Sequence, residues 1–92
     1  MTTDLPREVV KEPRFEDEAA AIQSNVKRMD EALEFTEGEL AAHPDSGIPS
    51  SIPGIWVARV RVPGESGGIV RASIFYTFTN GAVHLHSIRV AP

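Results

Sequence analysis

The sequence predicts an α+β fold in which helices pack on one face of an antiparallel sheet. Three observations carry this. Apolar residues recur with a helical period through the first half of the chain, and they alternate with polar residues through much of the second half. Asn80-Gly81 then stands between two alternating runs, the strongest short hairpin signal in the chain. At 92 residues the chain makes one domain, 1–92, with a single small core and a flexible tail over 1–6.

The elements follow in order. Arg7 to Glu12 sets a β-branched pair, Val9-Val10, in polar flanks and is ended by Pro13, which suits a short N-terminal edge strand. From Phe15 the residues Phe15, Ala19, Ile22, Val26, Met29, Leu33, Thr36 and Leu40 form the stripe of an amphipathic helix. One helix over 14–42 would be about 43 Å long, against a domain about 30 Å across, so a break is expected. Gln23-Ser24-Asn25 supplies it, with Ser24 or Asn25 capping a second helix from Val26, and a helical hairpin results. The competing reading keeps one helix and spends the seam on a coiled-coil homodimer.

His43-Pro44-Asp45-Ser46-Gly47 ends the helix, and Ile48 to Gly54 reads as loop. Three strands then form a meander. In Ile55 to Val62, Trp56, Ala58, Val60 and Val62 share an apolar face, and Arg59 and Arg61 share the other. Pro63 to Gly68 reads as a mobile turn. In Ile69 to Thr79, Ala72, Ile74, Tyr76 and Phe78 alternate with Arg71, Ser73, Phe75 and Thr77, and in Ala82 to Val90, His84 and His86 oppose Val83 and Leu85.

Composition narrows the function. There is no cysteine, hence no disulfide framework or thiolate zinc site, and no apolar run long enough for a membrane span; a cytoplasmic protein without membrane contact is expected. The formal charge of −4 is unevenly spread. Residues 1–46 hold five basic side chains against twelve acidic ones, whereas residues 47–92 hold Arg59, Arg61, Arg71 and Arg89 against Glu65 alone. Arginine's planar fork suits phosphate and carboxylate recognition.

With the helices on one face, Arg59, Arg61, Arg71, His84 and His86 converge on the other. These residue types fit metal-independent cleavage of an RNA phosphodiester. Arg71 would stabilise the developing phosphorane charge, His84 or His86 would move a proton, and Arg59 and Arg61 would hold phosphate or a partner. No cofactor is implied, and no third ligand in the last strands completes a metal site with the histidines. Tyr76 alternates with the core set, so packing explains it. A hydrogen bond or charge at the helix end explains His43.

The residues also resemble the RelE/ParE superfamily of type II toxin-antitoxin toxins. Val9-Val10 followed by Pro13-Arg14-Phe15 is similar to that family's first strand and the aromatic head of its first helix. Met29 to Leu40 followed by Pro44-Asp45-Ser46-Gly47 is similar to its second helix and P-x-x-G exit. Gly54-Ile55-Trp56-Val57-Ala58-Arg59-Val60-Arg61 is similar to its G-[LI]-W-E-L-R-V-R strand, and Gly67-Gly68-Ile69-Val70-Arg71 to its G-G-x-x-R stretch. The resemblance implies a toxin, a cognate antitoxin as partner, and ribosome-bound mRNA as substrate with Arg71 in the active site. The family's nucleases add lysines before the central strands, whereas this chain has none after Lys27, which implies weak or lost activity. A non-enzymatic protein-interaction domain of the same fold is the alternative.

Overall fold

The computed structural model describes residues 6–64 and 67–91. Strand β1 spans Glu8–Lys11, helix α1 Pro13–Gln23, helix α2 Met29–Ala42, and a 3₁₀ turn Pro44–Ser46. Strands β2 (Ile48–Pro49), β3 (Trp56–Pro63), β4 (Ile69–Phe78) and β5 (Ala82–Val90) follow. They build one five-stranded sheet in the order β1-β5-β4-β3-β2, so the meander the sequence predicts is flanked by a further strand at each edge. β1 joins β5 in parallel and all other pairs are antiparallel. Two helices on this sheet make the fold α+β. Residues 1–5 of the expected tail, and Glu65 and Ser66 of the turn expected to be mobile, lie outside the described residues.

The helical stripe fills the core. Phe15, Ala19, Met29, Leu33 and Leu40 are buried against Val60, Val62, Ile74, Tyr76, Val83, Leu85 and Ile88, with α1 lying over β5 and α2 over β3. Ile22 and Val26 pack at its margin.

Between Gln23 and Met29 the chain turns, so the hairpin forms and the single long helix does not. Its chemistry differs from the expected cap. Ser24 Oγ and Asn25 Nδ2 both donate back to the Ala21 carbonyl, which closes α1. The second helix begins at Met29, behind Arg28 in the left-handed region at φ 69° with no side-chain cap.

One further expectation is corrected. Ile48-Pro49 is not loop: it pairs with Val57 and Trp56 as β2, a strand too short for alternation to reveal. Trp56 lies on the core side with Ala58, Val60 and Val62, as the alternation predicts, half-buried at the rim with its ring edge-on to Phe78 at 5.4 Å and 62°. The hairpin signal does mark a tight turn, since the Thr79 N–H donates to the Ala82 carbonyl at 2.8 Å across Asn80-Gly81.

The helix exit is anchored on the sheet. The buried Tyr76 hydroxyl donates to the Pro44 carbonyl at 2.6 Å, and Gly47 lies so close to that phenol that a Cβ there would meet its hydroxyl and sit 2.7 Å from the Val57 carbonyl oxygen. Pro44 and Gly47, the two ends of the exit motif, are therefore where the chain locks to β4. Burial pushes the Tyr76 hydroxyl above the ordinary tyrosine range, with the Asp45 charge adding and a hydrogen bond from the Gly47 backbone opposing.

Candidate functional site

Alternation along β3, β4 and β5 sends one set of side chains to the helices and leaves the other on an open face. Strand register arranges that open face in rows. Arg61 lies opposite Arg71. The next row runs Arg59, Ser73, Arg89, and the next Ile48, Val57, Phe75. At the far end Thr77 pairs with His84, which pairs with Val10 of β1.

The first two rows gather four arginines. All four are exposed, and Arg59, Arg61, Arg71 and Ser73 line a shallow depression of about 440 Å³. Among the described residues none of the four lies within 4 Å of a carboxylate; the ion pairs there are Lys11 with Glu37, Arg14 with Glu18, Arg28 with Glu31, and His84 with Glu12. Four like charges in two adjacent rows repel one another, so the patch is a ready binder for anions.

The histidine end has its own partners. His84 Nδ1 is 3.4 Å from Glu12 Oε1, a long contact in which the ring N–H donates, and Glu12 comes from the junction of β1 and α1. His86 Nε2 is 2.8 Å from Thr77 Oγ1. The two imidazoles stack at 6.3 Å and 18°.

The structure therefore brings Arg59, Arg61 and Arg71 together and adds Arg89, but it leaves His84 at the far end of the face; His86 falls at the ladder irregularity, beside the Phe75 row that adjoins Arg59, Ser73 and Arg89. Arg71 and the Thr77–His84 pair are six residues apart along β4, roughly 20 Å at about 3.3 Å per residue. A general acid or base works within about 3 Å of the atom it serves. In this arrangement Arg71 and His84 attend different places on the face.

Arg89 could not be found by alternation alone. Counted from Val83 and Leu85 it falls on the core side, but the ladder is irregular at Phe75/Tyr76: Leu85 pairs with Tyr76 while Ser87 pairs with Phe75. The extra residue reverses the parity, so Ile88 enters the core and Arg89 joins the open face. Beyond this bulge β1 no longer covers the edge of β5, and Glu18 of α1 takes its place, accepting from Ser87 Oγ at 2.8 Å and from the Ile88 N–H at 3.2 Å. Partial desolvation pushes the Glu18 carboxyl up, but these hydrogen bonds and the Arg14 charge outweigh it and hold it below the ordinary glutamate range.

Among the described residues no three His, Asp or Glu side chains are grouped so as to hold a metal ion, and no helix is long and apolar enough to cross a membrane. No protein-family model, curated protein or solved structure matches the chain.

Proposed function

We propose that the chain is a RelE/ParE-like toxin component whose arginine-lined sheet face engages the phosphates of RNA, with nuclease chemistry that is weak or lost. The observation that carries this reading is the clustering of Arg59, Arg61, Arg71 and Arg89 in two rows of an open face with no described carboxylate beside them. Support also comes from the element order, a short strand, two helices and then a meander whose middle strand carries Arg71, which is the order the resemblance implies. The separation of Arg71 from His84 supports weak or lost cleavage. A cognate antitoxin with acidic side chains would neutralise the protein by covering the same four arginines.

A second reading, a non-enzymatic interaction domain of this fold, draws on that same separation. A homodimer through the helical seam has less support, because Phe15, Ala19, Met29, Leu33 and Leu40 are spent inside the monomer.

Expression in cells tests the proposal. The wild-type chain is expected to slow growth and reduce translation, and Arg71→Ala, at an exposed position, is expected to relieve both. Where cleavage of ribosome-bound message is measurable, losing one charge-stabilising donor should lower it by roughly a hundred- to a thousandfold. A harmless wild type, indistinguishable from Arg71→Ala, would leave the interaction-domain reading in its place.

A further inference from the structure

We propose that Phe75 is a base-stacking platform, so that the open face takes a single-stranded polynucleotide laid along β4, phosphates on the arginines and one base on the phenyl ring. This rests on the reading of the face as directed to RNA, and goes beyond it by naming the strandedness of the ligand and the residue that selects it.

Phe75 sits on a central strand, half-buried, in register with Val57, and neither belongs to the core nor to the apolar residues packed against it. The described ring contacts join Trp56 to Phe78, Tyr76 to Phe78, and His84 to His86; Phe75 takes part in none of them. An aromatic side chain on the solvent side of a sheet, one row from Arg59, Ser73 and Arg89 and beside Val57 alone on β3, lies outside the packing of the core. It has the composition of a single-strand site, a cationic track for the backbone beside a ring on which an unpaired base can lie.

The neighbours fix the occupant further. The two rows on the cationic side hold the four arginines, within about 13 Å of Phe75 along β4 at 3.3 Å per residue. On the other side stand the Thr77 hydroxyl and the His86 imidazole, hydrogen-bonded to each other at 2.8 Å and able to exchange that bond for one to a base edge. A duplex keeps its base faces stacked internally and can use only the arginines. An acidic peptide likewise needs the charges and not the ring.

The test is direct binding of the purified full-length chain to a labelled eight-nucleotide oligouridine by fluorescence anisotropy at several salt concentrations, with oligothymidine, duplex RNA and polyglutamate as parallel probes. Phe75→Leu keeps the apolar volume and removes the stacking surface. It should weaken binding of both single strands roughly five- to a hundredfold without changing the salt slope, and Phe75→Trp should restore it. Arg59→Ala should lower the log-log salt slope by about 0.7. Circular dichroism melts verify that each variant is folded.

Oligouridine binding unchanged in Phe75→Leu overturns the proposal. So does duplex RNA or polyglutamate binding as tightly as the single strands, or the absence of oligonucleotide binding at low salt. The two readings fail separately. Phe75-dependent binding by a chain harmless to cells would remove the toxin and keep this site, and Arg71-dependent toxicity with no Phe75 effect would do the reverse.

Discussion

The two faces of the sheet are built from the same strands and do opposite things. On the helix-covered face Ile74, Tyr76, Val83 and Leu85 have no exposed surface, and the phenol's hydroxyl is satisfied by the Pro44 carbonyl. One residue along, the open face carries Arg71, Ser73, Phe75, Thr77, His84 and His86, with two half-buried apolar side chains, Val57 and Phe75, in its middle row. Buried apolar packing is thus concentrated on one side and exposed cationic chemistry on the other. Substitutions on the two faces should separate cleanly. Leu85→Ala, which opens a cavity on the covered face, should cost about 2 to 5 kcal/mol in urea unfolding. An effect below 1 kcal/mol would mean that the helices do not press on β5 as the burial indicates.

The comparison sharpens at Gly47, where the covered face meets the helix exit. A methyl group there would collide with the Tyr76 hydroxyl and crowd the Val57 carbonyl. The φ of Gly47 is −78°, so the demand is for space, not for glycine's conformational freedom. Gly47→Ala is expected to cost about 1 to 3 kcal/mol. The double variant with Tyr76→Phe should recover part of that, because the hydroxyl is the nearest obstacle. No recovery in the double variant would put the strain on Val57 instead.

Most of this architecture was legible in the sequence, and the exceptions have physical causes. The covered face was readable because helical period and strand alternation agree about which residues are apolar, so Phe15, Leu33, Val60, Ile74 and Leu85 all lie where the pattern sends them. β2 was not, since two residues carry no period and Pro49 argues against a strand. Arg89 was hidden by the bulge, which no periodicity reports before the partner strand is known. The distance between Arg71 and His84 was readable after all. A two-residue turn at Asn80-Gly81 puts Thr77 opposite His84, six residues from Arg71, so the hairpin signal already separated the groups that a shared face suggested were together.

Two titrating groups bracket the stable range of the covered side. Glu18 has a lowered pKa when folded, so its contribution is present above the ordinary glutamate pKa and is lost as pH falls through the folded value. Tyr76 has a raised one, so its contribution is present below the ordinary tyrosine pKa, about 10, and is lost as pH rises toward the folded value. Unfolding midpoints should therefore fall at both extremes. Glu18→Gln should flatten the acid limb alone, and Tyr76→Phe the alkaline limb alone. A Glu18→Gln variant with an unchanged acid limb would show that the carboxylate's bonds to Ser87 and Ile88 do not persist in solution.

The smallest expected effect has the opposite sign and bears most directly on the open face. Arg61 and Arg71 are directly opposite across β3 and β4, with Arg59 and Arg89 in the adjacent row. Like charges in facing positions of an antiparallel pair destabilise it, and an opposite pair in the same place stabilises it by roughly 0.2 to 1 kcal/mol. Arg71→Glu should therefore raise stability slightly, and the gain should shrink in high salt as the repulsion it relieves is screened. The same change should abolish anion binding. A chain that becomes more stable when one arginine is removed keeps that arginine at a cost to its fold, which is the pattern expected of a binding residue and not of a structural one. Destabilisation by Arg71→Glu would show instead that the arginine stem packs on the sheet, and the division of labour between the two faces would fail at its most informative position.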